Sequence, residues 1–393
     1  MLSTNYTENL LGIKDVIITD IKETDSEKHI YLDCMLKIQR CPHCFRETKR
    51  VHSYRNQVVK DVSIFGKHTY LHIRKRRYYC PHCGGTFLEK LGFLKRYQRT
   101  TQRLLMQVIR DFSDPLSIKY IAKKNNVSTG VATRMFDNVE YPRPKLPEII
   151  AIDEFKGNAG RKFQCIITNP VDKQVLDILP CKITTFMKEY FLRYPLKERK
   201  HVKYIVMDMS MQFAEIATFC FPNAKVVIDK FHVCRHITWS VDEIRKRVQD
   251  KLSSDKRKWF KKSRFIILKH SEELTEEEVT KLTIMLSYSE ELRWAYYIKE
   301  LFYKFMSSKS YNQADESYRS FKLAAMASGL VRFQKCCYMI EKRKDRVLRA
   351  FDTGYTNGYT EGCNNKVKVL KRNSYGVRNF ARFRNRILYM MSA

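Results

Sequence analysis

EIIAIDEF at residues 148–155, YIVMDM at 204–209 and KVVIDKFH at 225–232 are the stretches that decide the fold of this chain. Each contains a short apolar run that leads into an aspartate, namely Asp153, Asp208 and Asp229. A run of this length predicts a buried strand, and an acid at its end lies at the edge of the sheet. We therefore expect an α/β domain whose strand ends collect carboxylates, and we hypothesise that these hold metal ions.

The order of elements around these strands predicts a ribonuclease-H-like sheet. A hairpin (162–168 and 174–179) and a helix (184–194) separate the first and second stretches. In that fold the first and fourth strands are neighbours, so Asp153 and Asp208 would lie about 5 Å apart. Two such carboxylates suit two divalent ions, which activate the attacking oxygen and stabilise the leaving oxygen in phosphoryl transfer. Oxygen ligands favour Mg²⁺, or Mn²⁺ in its place.

The choice between Asp208 and Asp229 rests on topology, because the fourth strand is the one beside the first. Asp208 is therefore the expected ligand. Asp229 and His232 are expected to support the site or to contact DNA. For each aspartate an ordinary turn or capping role stays open, as does a structural role for His232.

The charge of the chain indicates a polyanionic partner. Its 393 residues carry 74 Lys and Arg against 42 Asp and Glu, a net charge of +32. A bias of this size favours nucleic acid over a merely solvated basic surface. The first residues resemble no signal peptide, and no apolar run reaches the ~18 residues that span a bilayer. We expect a soluble intracellular protein with no membrane partner.

Two CPHC motifs predict a structural zinc site. Cys41, Cys44, Cys80 and Cys83 form two CxxC pairs, and two such turns complete a tetrahedral four-thiolate site with no open position for catalysis. His43 and His82 are alternative ligands, although surface positions suit them better. The eight other cysteines are expected to be reduced.

Basic and polar residues around this site are candidates for DNA contacts. Arg74, Arg76 and Arg77 interleave with aromatics, as in a phosphate-contacting strand or a charge-protected edge strand. Three helical patterns follow between Gln98 and Phe136, the third capped by Ser128, and they predict a helix-turn-helix whose groove-facing residues are Thr129, Thr133 and Arg134. A helical hairpin without a DNA role is the alternative. The proline-rich stretch 141–147 predicts a linker.

The C-terminal third adds an acid from a distance. Residues 241–339 have a helical, highly charged pattern, and the stretch 271–278 predicts a capped helix start with acids in its first turn. No glycine-rich phosphate loop occurs, which argues against an ATPase or a nicotinamide enzyme. At GYTEGCNNKVK (358–368) a helix would align Glu361, Asn364, Asn365 and Lys368 on one face. An ordinary acid at a helix start is the alternative for Glu361. The basic tail behind it, including Lys371, Arg372 and Arg378, suits DNA.

Together these motifs resemble the ISL3-type insertion-sequence transposases, over nearly the whole chain. The most specific parts are DKFH (229–232) and GYTEGCNNKVKVLKR (358–372). The resemblance implies a DDE transposase with the triad Asp153, Asp208 and Glu361, two Mg²⁺ or Mn²⁺ ions and a helical insertion before the glutamate. It also implies binding of terminal inverted repeats and target DNA, with a homodimer or larger assembly on DNA, in the bacterial cytoplasm at the nucleoid.

The predicted fold is multidomain α+β: a zinc-binding β module and helix-turn-helix, then a ribonuclease-H-like α/β catalytic domain with an all-helical insertion. The expected segments are a β and zinc module (1–90), the helix-turn-helix with its linker (91–145), the first part of the catalytic core (146–240), the helical insertion (241–340), and the final core helix with the basic tail (341–393). Two other functions stay open, namely a DNA-binding regulator and a metal-dependent nuclease without strand transfer.

Overall fold

The computed structural model describes residues 11–95, 97–157 and 161–392. The start of the chain, for which no signal peptide is expected, lies outside these residues. Contacts divide the chain into two compact units. One comprises residues up to Tyr141 together with Lys368–Met391, and the other comprises Pro142–Val367. The segment 368–391 thus packs with the N-terminal residues. The sequence analysis instead predicts it as part of a segment, 341–393, that joins the catalytic core.

The first unit contains a mixed sheet that carries the cysteine motifs. Its strands are β1 (Val16–Glu23), β2 (Glu27–Cys34), β5 (Val51–Ile64), β6 (Lys67–Tyr79) and β7 (Thr86–Leu88), in the order β1-β2-β6-β5 with β7 also on β6. The short strands β3 (Gln39–Arg40) and β4 (Glu47–Thr48) form a separate ribbon. The β5–β6 hairpin brings the second CPHC motif back to the first. Because β6 is paired on both sides, the edge-strand alternative for residues 74–77 is wrong.

Three helices follow in the same unit: α1 (Gln102–Asp111), α2 (Ile118–Lys124) and α3 (Thr129–Phe136). Ser117 and Ser128 cap α2 and α3 through their hydroxyl groups, which stabilises a helix start by about 1 kcal/mol. Phe112 and Phe136 stack at 4.3 Å between ring centroids in the small core of these helices. The C-terminal helix, described below, adds Tyr389 to this core.

The second unit contains the sheet that carries the aspartates. Its strands are β8 (Ile149–Lys156), β9 (Phe163–Asn169), β10 (Gln174–Leu179), β11 (Tyr204–Met207) and β12 (Lys225–Ile228), in the order β10-β9-β8-β11-β12. β8, β11 and β12 are parallel to one another. β9 runs antiparallel to both of its neighbours, β8 and β10. The predicted adjacency of the first and fourth strands is therefore present.

Helices cover both faces of this sheet. α4 (Thr184–Leu192), α5 (Leu196–His201) and α6 (Met211–Cys220) follow β10 and β11, and residues such as Met187, Phe191 and Phe213 pack against one face. Burying each of these side chains contributes about 1.5–3 kcal/mol. On the other face, Ala350 packs on Ala151, Val206 and Val227. Ala350 belongs to the helix Lys344–Thr353, and its small side chain lets the backbone of that helix lie close to the sheet.

The predicted insertion is helical throughout, apart from two 3₁₀ turns. After β12 the helices are α7 (Lys230–Asp250), α8 (Ser254–Arg257), α9 (Ser263–Leu268), α10 (Glu276–Ser287), α11 (Glu290–Met306), α12 (Tyr311–Ala327), α13 (Val331–Glu341), α14 (Lys344–Thr353), α15 (Gly358–Asn373) and α16 (Phe380–Ser392). The capped helix start predicted within 271–278 is confirmed: Thr275 forms a capping box with Glu278 and the first turn is acidic, while Ser271 begins a short 3₁₀ turn before it. α7 runs without a break through position 240 and shares one core with the insertion helices. None of the described helices is long and apolar enough to cross a membrane.

Candidate active site and zinc centre

Three aspartates lie in one row across neighbouring parallel strands. The register pairs Val206 with Ala151 and Met207 with Ile228. Continued by one or two residues, it sets Asp208 opposite both Asp153 and Asp229. Neighbouring strands are separated by ~4.8 Å, so Asp208 lies about one strand spacing from each of the other two.

Asp153 lies on the central strand of the row and is buried. β8 continues for three residues after Asp153, because the pairing with β9 extends to Lys156. The aspartate therefore lies inside the strand and not at its end. Burial raises the pKa of Asp153 from 3.8 to about 6, although the Glu154 backbone N–H and His232 oppose that rise. The nearby Asp208 and Glu361 raise this pKa further. A carboxyl in such surroundings gains strongly from a bound cation.

Asp208 follows β11 directly and is less buried than Asp153. Its Oδ1 accepts a hydrogen bond of 2.8 Å from the backbone N–H of Ser210, and Ser210 in turn caps α6. This turn holds the carboxylate at the carboxyl edge of the sheet.

Asp229 occupies the N-cap position of α7 yet makes no capping hydrogen bond. It is fully buried, and burial raises its pKa. The backbone N–H groups of Phe231 and Asn357 lie close enough to lower that pKa, but among the described residues none forms a hydrogen bond of normal geometry with either carboxylate oxygen. A buried carboxylate without partners is costly, so a cation at these oxygens would stabilise the site.

Asp229, His232 and Glu361 are brought together closely enough to hold one ion. Each offers a ligand atom, and these atoms lie within 4.8 Å of one another. His232 Nε2 lies 3.9 Å from Glu361 Oε1. Asp153 and Asp208 are not members of this group of described residues. The structure thus puts Asp229 beside the glutamate, where the sequence suggests only a supporting position.

Arg235 fixes the orientation of the His232 ring. Its Nη2 lies 3.1 Å from His232 Nδ1, and a guanidinium can only donate. Nδ1 therefore accepts, and in the neutral ring Nε2 carries the proton and faces Glu361. This tautomer suits a hydrogen-bond donor to a carboxylate better than a metal ligand, which needs a free Nε2 lone pair.

α15 places Glu361 and Asn364 at the site. Thr360 hydrogen-bonds Thr168 on β9 across 2.8 Å in the buried interface, and Cys363 and Val367 are buried on the same side of the helix. Asn364 Nδ2 donates to Asp153 Oδ2 at 2.8 Å. Of the four residues expected on one helix face, Asn365 and Lys368 are exposed, and Lys368 is assigned to the other unit.

Two residues of the site carried no signal of their own in the sequence analysis. Asn357 is fully buried, and neither of its side-chain amide atoms has a partner among the described residues. It directly precedes α15, and its carbonyl accepts from the Glu361 N–H at 2.8 Å. Arg235 is the second, because no helix is predicted between 229 and 240 that would set it beside His232.

The four cysteines of the two CPHC motifs form one cluster. Their sulfur atoms lie within 4.8 Å of one another, with Cys41 and Cys83 at 3.6 Å and Cys44 and Cys80 at 3.5 Å. Tetrahedral Zn–S bonds of 2.3 Å imply S···S separations of about 3.8 Å. The donor set therefore fits Zn²⁺ with four thiolates.

The two knuckles share the same backbone conformation. The carbonyls of Cys41 and Cys80 accept hydrogen bonds from the backbone N–H groups of Phe45 and Gly84, four positions later. Both donor residues have a left-handed φ, 60° at Phe45 and 69° at Gly84. His82 instead lies 3.2 Å from Arg46, and His43 packs near Gly85. Neither histidine belongs to the cluster.

The residues predicted to contact DNA differ in exposure. Arg74, Arg77, Thr129, Arg134, Arg372 and Arg378 are exposed, and Thr133 and Lys371 are half-buried. Arg76 lies largely inside, with its guanidinium 3.7 Å from the buried Glu89. Farther along the tail, Arg386 is buried against Phe112 and donates to the carbonyls of Asp114 and Leu116, so it belongs to a core and not to a surface.

Comparisons with known proteins agree with this architecture. Residues 150–387 match a family described as a transposase of the ISL3 type, and residues 38–83 match the zinc finger of the transposases of IS204, IS1001, IS1096 and IS1165. The transposase for insertion sequence element IS1001 of Bordetella parapertussis is 26% identical over 358 residues, covering 89% of this chain and 88% of that protein. The transposase for IS1557 of Mycobacterium tuberculosis is 22% identical over 253 residues, covering 58% and 57%.

The family match spans more than half of the chain and includes the aspartate row, the insertion and Glu361. The zinc-finger match covers all four cysteines, which supports structural Zn²⁺ there. The chain therefore belongs to the ISL3 family of insertion-sequence transposases.

Proposed function

We propose that this enzyme cuts DNA at the ends of its insertion sequence and joins those ends to target DNA. Hydrolysis at an end would free a 3′-hydroxyl, and that hydroxyl would attack a phosphodiester of the target. No covalent protein intermediate and no ATP are required. The observation that carries this proposal is the row of Asp153, Asp208 and Asp229 on the strand order β10-β9-β8-β11-β12, with Glu361 brought beside Asp229.

The carboxylates of this row, with Glu361, are the groups that would hold divalent ions, Mg²⁺ or Mn²⁺. The donor set fits, because the oxygens are hard ligands and those of Asp229 have no hydrogen-bond partner among the described residues. Bound there, two such ions would activate the attacking oxygen and stabilise the leaving oxygen of a phosphodiester. We retain Asp153, Asp208 and Glu361 as the proposed triad and add Asp229 as a further ligand.

Neighbouring side chains would orient these carboxylates. Asn364 donates to one oxygen of Asp153, and the other oxygen accepts from the backbone N–H of Glu154. His232, held by Arg235, presents an N–H toward Glu361. Such partners keep ligands in place before an ion arrives, and their loss typically costs 10–100-fold in metal affinity.

The N-terminal unit would recognise the element ends. The zinc ribbon and the helices α1–α3 place Arg74, Arg77, Thr129 and Arg134 on the surface, and we propose α3 as the helix of a helix-turn-helix that enters the major groove. We propose that the five predicted segments are functional regions of the protein. Residues 368–391 would act with the N-terminal unit in binding the element ends. Work on two ends at once requires a dimer or a larger assembly on DNA.

Labelled element ends incubated with the full-length protein and Mg²⁺ or Mn²⁺ test this proposal. We expect cleavage at the end with the wild-type chain and none with Asp153→Asn. Binding without cleavage in either metal would support the regulator alternative. Cleavage that never yields joined products would support the nuclease alternative.

A further inference from the structure

One face of α7 exposes two large aromatic side chains beside the active site. Phe231 is 60% exposed and Trp239 is 55% exposed, and Arg235 between them is also exposed. A spacing of four residues turns the helix by 400°, so the three side chains form one stripe. The stripe begins two residues after Asp229, on the helix that also carries His232.

Packing within the second unit does not account for this stripe. The other two tryptophans of the chain, Trp259 and Trp294, pack against the core of the insertion. Trp239 instead contacts its own helix, with the Arg235 guanidinium 5.3 Å from its ring centroid and the His236 ring 5.9 Å away in an edge-on arrangement. Its outer ring face is left to solvent, although burying such a ring is favourable.

The chemistry of the stripe matches an unstacked nucleobase. Aromatic rings and the planar guanidinium both stack on bases, and an interleaved cation attracts the adjoining phosphates. A base inside a duplex already stacks on its neighbours and offers only its edge to a protein. An aromatic side chain can therefore stack only on a base that has left the duplex stack. Phe231 and Trp239 are about 12 Å apart along the helix, which is roughly three nucleotides of a strand at ~3.4 Å each.

We propose that Trp239 stacks on an unpaired base of the DNA strand next to the bond that is cut, while Arg235 and Phe231 contact the adjoining nucleotides. This inference rests on the proposed function, since it places the strand at the aspartate row. Opening the duplex there would expose the phosphodiester to the buried carboxylates. Trp239 would act as a positioning residue that holds the strand and takes no part in the chemistry.

Tryptophan emission tests the stacking separately from cleavage. Element-end DNA is added to the full-length protein without divalent metal, and the loss of emission is compared between wild type and Trp239→Phe. A stacked base quenches the ring it covers, so we expect a quench in the wild type that the variant lacks. Equal quenching in both proteins would overturn the proposal, whether or not the protein cleaves DNA.

Cleavage rates supply the second arm. Stacking one base is worth roughly 5- to 150-fold by alanine substitution, so Trp239→Ala should slow cleavage within that range, while Trp239→Phe should stay near wild type. An abasic nucleotide at the stacked position, which is already unstacked, should restore the rate of Trp239→Ala. Phe265→Ala, which removes an exposed ring on the insertion, should change nothing.

Wild-type rates with Trp239→Ala, or no abasic position that rescues it, would contradict the proposal. If the wild-type protein itself fails to cleave, the proposed function fails, and the emission measurement still decides whether a base stacks on Trp239. Quenching by duplex DNA that lacks an element end, to the same extent, would show a general DNA contact and would also overturn the proposal.

Discussion

Asn364 donates a hydrogen bond of 2.8 Å to Asp153, which lies 211 residues earlier in the chain. The bond is buried and joins the helix that carries Glu361 to the central strand of the aspartate row. The two parts of the proposed site, separated by the whole insertion, are thus in direct contact through an amide and a carboxylate.

We expect Asn364→Ala to weaken metal binding at the site with little effect on the fold. Asp153 would lose the partner that fixes one of its oxygens, so the Mg²⁺ concentration for half-maximal cleavage should rise about 10- to 100-fold. A metal titration of the cleavage rate measures this. Asn365→Ala changes the same residue type at the adjacent, exposed position and should leave the titration unchanged. A normal titration for Asn364→Ala would show that Asp153 is oriented without it.

The raised pKa of Asp153 predicts a pH-dependent stability in the absence of divalent metal. The native state holds this proton up to about pH 6, whereas the unfolded state releases it near 3.8. The native state therefore binds more protons between these values, and stability falls as pH rises from about 4 to about 6, by at most about 3 kcal/mol. Urea midpoints across this range measure the slope.

Asp153→Asn should flatten this slope and raise stability at pH 7. Asp20→Asn, at an exposed aspartate, is the matched control and should keep the slope. Added Mg²⁺ should stabilise the wild-type protein more at pH 7 than at pH 4, because the ion competes with the proton. An unchanged slope in Asp153→Asn would mean that other groups dominate it.

The zinc centre predicts one Zn²⁺ per chain. Cys83→Ser removes an exposed ligand, so the purified variant should contain far less zinc and its N-terminal unit should unfold more readily. Metal analysis and thermal melting test this. Cys34→Ala alters a buried cysteine outside the cluster and should retain the zinc. Full zinc content in Cys83→Ser would contradict a four-thiolate site.

Arg386 is expected to support the three-helix module from the C-terminal end of the chain. Its guanidinium lies 4.4 Å from the Phe112 ring centroid and donates to two backbone carbonyls. Arg386→Leu would remove both of these hydrogen bonds from a charged donor, at about 1.5–3 kcal/mol each. Arg382→Ala, which breaks an exposed ion pair with Asp137, should cost under about 1 kcal/mol. Equal urea midpoints for the two variants would contradict this role.

The local elements followed from the sequence where local patterns determine them. The apolar runs before Asp153, Asp208 and Asp229 became three neighbouring strands, and GYTEGCNN became the start of a helix, because strand and helix periods are properties of short stretches. The repeated CPHC motif likewise fixed the cysteine cluster.

What the sequence did not reveal depends on packing between distant segments. The burial of Asp229 beside Glu361 results from the way α7 and α15 meet the sheet, which no local period encodes. Arg76 and Arg386 are cations of the kind that bind DNA. In the fold, however, Arg76 lies beside the buried Glu89, and Arg386 packs on the Phe112 ring. The charge of a residue predicts its partner class, and only the tertiary fold decides whether it reaches solvent.

The joining reaction tests the central account most directly. A pre-cut, labelled element end with a 3′-hydroxyl is incubated with the full-length protein, Mg²⁺ and a target plasmid, beside the same end carrying a 3′-deoxy terminus and beside Glu361→Gln. We predict labelled plasmid with the 3′-hydroxyl end and wild-type protein, and none with the deoxy end or with Glu361→Gln. Labelled plasmid formed by Glu361→Gln, or no joining by a wild-type protein that binds the end, would contradict the account.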